Sequence, residues 1–291
     1  MRVTPLTRRL GSAALVLTFA VAAAGCSGGE SEPSGSSSSA TDQADDQADD
    51  GAESSGEGEA SSEEPAGDVT ELDAADFYPK VMGALKDAQT FRFESIATSA
   101  GQEQTTSGEA RYDDDGIAMK ASSTGAQEME VILLDQIMYL KSADLGSADT
   151  WVKVDLSDPD SLFGMIGKAT DPEAMFKAME APKKLELIGT EEVDGVDTNH
   201  YRITVDSDQY AAAMELPGEM AGMLPDELVT EMWVDGDDLP RKFTQTVETP
   251  SNGGQGVSST TEGTYSDFGT DVSIEAPPAD EVTENPFSGG A

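Results

Sequence analysis

The chain has 291 residues, with 17 basic and 57 acidic side chains, a formal net charge of −40 and one cysteine. This excess of acid excludes nucleic-acid binding through phosphate contacts, which needs clustered Lys and Arg, and it excludes adsorption on an anionic membrane surface. One cysteine permits no internal disulfide, so a folded body must rest on its own core.

At the start, Arg2, Arg8 and Arg9 precede an apolar run from Leu10 to Val21, and the small residues Ala22 to Gly25 lead into Cys26. A basic start, a short apolar stretch and a small-residue ending make a secretory signal. The run is shorter than the roughly 20 residues that a spanning helix needs. The AAGC ending resembles the lipobox of bacterial lipoproteins, with Ala23 where that pattern usually has Leu. The resemblance implies palmitate-type acylation of Cys26, removal of residues 1–25 as a signal peptide, and anchoring at the extracytoplasmic face of the plasma (cell) membrane. Two or more acyl chains are needed for a stable hold.

Residues 27–68 carry thirteen acids and no Lys, Arg or aromatic residue, among Gly, Ser and Ala. Such a stretch cannot bury enough apolar surface to offset its ordering entropy. Residues 26–68 are therefore expected to be the lipidated Cys followed by a disordered acidic tether. From Val69 the composition changes, and residues 69–285 are long enough for one domain; residues 286–291 read as a frayed end.

Within the domain a helix comes first, with Asp73 as its cap and Phe77, Tyr78, Val81, Met82 and Leu85 at helical spacing. Period 2 then takes over at Phe91 and Phe93, Gly108 to Tyr112, Ile117 and Met119, Met129 to Leu133, Ile137 and Tyr139, and Trp151 to Val154. Turn signals such as Asp115-Gly116 separate these runs, as in an antiparallel meander. Asp158-Pro159 and Asp171-Pro172 open two short helical stretches carrying Leu162, Met165 and Ile166, and Met175 and Met179. Strands resume at Leu185 and Leu187, Tyr201 to Val205, Leu228 to Val234, Phe243 to Val247 and Gly256 to Phe268, with helical inserts around Tyr210 to Met214 and Met220 to Leu224. The fold class is α+β with a large antiparallel sheet, and a sheet of about ten strands tends to curl.

The segments YPKVMGALKDAQTFRFE, IGTEEVDGVDTNHYRITVD, EMWVDGDDLPRKF and YSDFGTDVSIEAPPADEV occur in an order that resembles the LolA-like half-barrel, and within it the LppX/LprG lipoprotein family. The resemblance implies a curved sheet covered on its concave face by helices, with lipid acyl chains held between. Under that reading Phe91, Phe93, Val131, Leu133, Ile137 and Tyr139 form the sheet side of a ligand pocket. Leu162, Met165, Ile166, Met175 and Met214 form its cover. A tethered sensor or protein-interaction module with a filled core and no ligand is the alternative, with its protein partner open.

Catalytic chemistry finds little support. His200 is the one histidine, on a strand, and reads as packed or solvent-facing rather than catalytic. Zinc needs several His or Cys ligands, and the acid clusters lack the spacing of a calcium loop. No enzyme activity, cofactor or metal is expected.

Overall fold

The computed structural model describes residues 69–113, 116–143, 147–157, 182–216, 218–222, 224–249 and 257–284. Helix α1 (Phe77–Ala88) leads into six strands: β1 (Thr90–Ser99), β2 (Gln102–Asp113), β3 (Gly116–Gly125), β4 (Met129–Leu134), β5 (Ile137–Ser142) and β6 (Ser147–Asp155). After the connection come β7 (Lys184–Val193), β8 (Val196–Asp206), α2 (Ser207–Ala213), α3 (Gly218–Ala221), β9 (Glu227–Asp235), β10 (Pro240–Thr249), β11 (Val257–Ser266) and β12 (Val282–Glu284).

The twelve strands among the described residues belong to one large open sheet in the order β12-β6-β5-β4-β3-β2-β1-β11-β10-β9-β8-β7. Two meanders, β1 to β6 and β7 to β11, meet where β1 pairs antiparallel with β11. Hairpin geometry follows from the turn residues. Asp135 and Gln136 both have positive φ (52° and 59°), as do Asp194 and Gly195 (50° and 85°), which is the backbone that two-residue hairpin loops require. Among the described residues only β12 pairs in parallel, placing Val282 beside Trp151 on β6.

Alternation along the strands gives the sheet two faces. On one, α1 buries Phe77, Tyr78, Val81 and Leu85 against Phe91 and Tyr112 of β1 and β2 and Tyr201, Ile203 and Met232 of β8 and β9. The Phe77 and Tyr201 rings meet edge to face at 5.0 Å, and the Tyr201 hydroxyl accepts a hydrogen bond from the Leu72 amide at 2.8 Å. Asp73, expected as the helix cap, stands one turn earlier: its Oδ1 accepts the Ala75 and Asp76 amides, and Asp76 occupies the cap position. On the opposite face the chain after β11 crosses as a strap. The Gly269 amide donates to the Thr90 carbonyl, Ile274 packs on Ala118, Ile132 and Trp151, and β12 then closes the β6 edge.

Candidate ligand site on the helix-bearing face

The α1 face carries two apolar clusters side by side. The first lies under α1 and includes Phe91, Tyr201 and Met214. The second is built by β3 to β6 from Met119, Met129, Val131, Leu133, Met138, Leu140, Val152 and Val154 with Leu156, and Phe93 and Ile117 pack against both. Phe93 lies opposite Gly108 and Phe243 opposite Gly263. A Cβ on Gly108 would stand 2.7 Å from the Phe93 ring, and one on Gly263 would fall inside contact distance of Phe243. Each glycine thus leaves room for an aromatic ring from the neighbouring strand.

Beyond the clusters the same face turns polar. Ser123, Thr106 and Ser95 on β3, β2 and β1, and Thr261, Gln245 and Thr230 on β11, β10 and β9, are all buried. The registers Ser95↔Thr106↔Ser123 and Thr261↔Gln245↔Thr230 run them across six strands. They bond among themselves, Thr106 with Ser123 at 2.8 Å and Gln245 Nε2 to Thr230 Oγ1 at 3.0 Å. The face therefore combines apolar surface with a bordering row of hydroxyl and amide groups, as an amphiphile requires.

Of the sequence-predicted pocket residues, Phe91, Phe93, Val131, Leu133 and Met214 are on this face. Ile137 and Tyr139 are not. The two-residue turn at Asp135 and Gln136 pairs Leu134 with Ile137 and Ile132 with Tyr139, so these four side chains share the opposite face. Their places opposite Val131 and Leu133 are taken by Leu140 and Met138, and Met138 is fully buried. Leu162, Met165, Ile166 and Met175 lie outside the described residues, in the connection from β6 to β7, which joins opposite ends of the sheet. Met119 and Met129, read as strand residues, belong to the second cluster together with Met138, which the sequence reading passed over in favour of Ile137 and Tyr139. The alternation of Met138 with Leu140 was the available signal.

The opposite face is polar apart from the strap's seat. His200 is buried and stacks on Trp233, ring centroids 4.0 Å apart at 14°. Its Nδ1 is 3.0 Å from Glu191 Oε1, and the Trp233 indole N–H donates to Glu191 Oε2 at 3.0 Å. Glu231 lies 3.4 Å from His200 Nε2 and accepts from Arg202 at 2.6 Å. The Trp233 hydrogen bond, followed by that of His200, holds the Glu191 carboxyl below the usual range; for Glu231 the Arg202 hydrogen bond does the same. One open groove of ≈ 440 Å³ on this face is lined by Arg92, Glu109, Lys120 and Trp151, and another of ≈ 400 Å³ by Ile96, Trp233, Lys242 and the end of β7. Among the described residues no helix is long and apolar enough to cross a membrane.

No family model matches the chain. Over 166 residues it is 28% identical to an uncharacterized 31.2 kDa protein of the rplA–rplJ intergenic region of Streptomyces griseus, a match covering 50% of this chain and 53% of that protein. The chain thus spans about half the length of this curated relative. Among solved structures it is similar to the lipoprotein LppX of Mycobacterium tuberculosis, with a TM-score of 0.48 and 14% identity over 69% of this chain and 98% of the other. LprF of Mycobacterium bovis has a TM-score of 0.44 and 13% identity over 70% and 96%. MucB in complex with MucA has a TM-score of 0.38 and 14% identity over 71% and 59%.

Proposed function

We propose that the chain is a membrane-anchored extracytoplasmic lipoprotein whose curved sheet binds or carries a lipid on the α1 face. One observation carries the reading: two adjoining apolar clusters bordered by a row of buried hydroxyl and amide side chains across six strands. Acyl chains lie along the second cluster, beside Val131, Leu133 and Met138. The Ser/Thr/Gln row faces the polar end of the lipid. Residues 158–181, with Leu162, Met165, Ile166 and Met175, form the cover. Each methylene withdrawn from water contributes about 0.8 kcal/mol. Acylated Cys26 holds the protein at the membrane, and residues 27–68 space the domain from it.

A second reading has its own support. The second-cluster side chains are buried, Met138 completely, and the two grooves described above open on the other face. A ligand-free module with a filled core fits those facts. Native mass spectrometry of the full-length protein separates the two readings. The lipid reading expects a co-purifying lipid beyond the covalent acyl mass, lost in Leu133→Asp and displaced in Leu133→Trp with the Tm near wild type. No lipid in the wild type, together with a Leu133→Trp cost of about 1–3 kcal/mol from overpacking, refutes it. Cys26→Ser tests the anchor: a variant that fractionates with membranes like the wild type, with no acyl mass on the wild type, refutes it.

A further inference from the structure

The two ends of the sheet are treated differently. At one end the chain's own tail adds β12 to β6. At the other end β7 is the last strand, with β8 on one side and, among the described residues, no strand on the other. An edge strand offers a row of backbone N–H and C=O groups to any extended chain. Folded proteins usually guard such an edge with charge, and β7 guards its ends: Lys184 pairs with Glu186 at 2.7 Å, and Glu191 and Glu192 stand near the tip. Its middle is different. Leu187 and Ile188 are 39% and 46% exposed, two adjacent members of the small set of exposed large apolar side chains. They sit at a bulge between Leu187 and Gly189 that shifts the register against β8.

Charge selects the occupant. The tip of the β7–β8 hairpin exposes Glu192, Asp194 and Asp197 with no base among them, next to Glu191, which is bonded to Trp233 and His200, and Lys183 and Lys184 at the other end are each paired to a glutamate. A second copy would bring the same acidic tip and the same net charge of −40, so self-pairing is opposed by charge. We propose that β7 is a docking edge for an extended polypeptide segment of a cationic partner, which adds as a further strand, sets apolar side chains against Leu187 and Ile188, and places Lys or Arg near the acidic tip. The site is separate from the α1 face and does not depend on the lipid reading.

The test uses full-length protein and a ten-residue peptide of alternating lysine and valine, followed by fluorescence anisotropy and by amide shifts of residues 184–193. Two control peptides accompany it: the glutamate–valine counterpart, and the lysine–valine peptide N-methylated at alternate amides, which keeps its side chains but loses one edge of hydrogen bonds. Shifts confined to β7 are expected, with binding weakened at least about tenfold by N-methylation, by the acidic sequence and by Ile188→Lys; each such loss is about 1.4 kcal/mol or more. Ile188 is exposed, so the variant should fold, and an unchanged Tm confirms it. The proposal is overturned by an absence of binding, by equal binding of the N-methylated or acidic peptide, or by shifts that map elsewhere. It is equally overturned by a concentration-dependent dimer that Ile188→Lys abolishes, which would assign the edge to a second copy.

Discussion

Asp235 ends β9, and its carboxylate organises the turn into β10. Oδ1 accepts the amides of Asp237 and Leu239 at 2.9 and 3.0 Å, and Oδ2 accepts Arg241 Nε at 2.6 Å. The Asp235 side chain is fully buried and that of Arg241 is 10% exposed, while the guanidinium lies 5.0 Å from the Phe268 ring. Asp235→Ala removes three charge-assisted hydrogen bonds at once. Taken singly at about 1.5–3 kcal/mol each they would overstate the loss, because they share one carboxylate and the turn amides can reach water. The range for breaking a buried pair, about 3–5 kcal/mol, is the better guide. For a domain of this size that lowers the Tm by roughly 6–20 °C, at about 2–4 °C per kcal/mol. The assay is thermal melting by circular dichroism, with urea midpoints as a check. Lys183→Ala is the control: its contact with Glu227 is also 2.6 Å, but the side chains are 53% and 44% exposed, so it should leave the Tm close to wild type. Equal, small shifts in both variants would refute the assignment of the energy to burial.

Three further outcomes are expected. Gly263→Ala pushes a methyl into the Phe243 ring and should cost about 1–3 kcal/mol, part of it recovered when Phe243→Leu is added; strictly additive costs in the double mutant would count against this contact. Glu191 has a lowered pKa from its bonds to Trp233 and His200, so the stability it contributes is present above the ordinary glutamate value and is lost as pH falls. Urea midpoints of Glu191→Gln should accordingly decline less steeply below pH 4.5 than those of wild type, and parallel acid limbs would contradict the network. Burial raises the tyrosine hydroxyls Tyr78, Tyr210 and Tyr265, and pushes Tyr112 up to about 12. The stability they contribute is present in full below the ordinary tyrosine value of 10.0 and is lost as pH rises beyond it; a flat stability profile from pH 9 to 11.5, on the order of the range a raised tyrosine should affect, would contradict the burial.

Strand periodicity and turn chemistry were readable because they are local. Phe77 to Leu85 at helical spacing and Asp194-Gly195 between alternating runs each indicate the right element. Facing was harder. Ile137 and Tyr139 alternate as cleanly as Val131 and Leu133, and only the length of the Asp135–Gln136 turn sends them to the other face. The polar row was invisible for a related reason. The polar side chains of Thr106 and Gln245 carry no burial signal of their own, and they are held by cross-strand partners distant in sequence, Ser123 and Thr230. The β6-side strap was not legible either, since nothing in the residues VSIEAP specifies that Ile274 will cross to Trp151.

The seam between β1 and β11 joins the parts of the sheet that are made first and nearly last. Arg92 pairs with Ser266, and Ser99 with Ser259. As the chain grows from its N-terminus, β1 to β6 can zip up hairpin by hairpin, but β1 stays a bare edge until β11 emerges. The tail that shields β6 arrives later still. Contacts this remote in sequence slow the search for the native state, and an exposed edge held open that long invites the wrong partner. Completion of the fold is thus set by the last thirty or so residues, and a chain cut short before Val257 would carry two unsealed edges on its first meander rather than a smaller version of the same domain.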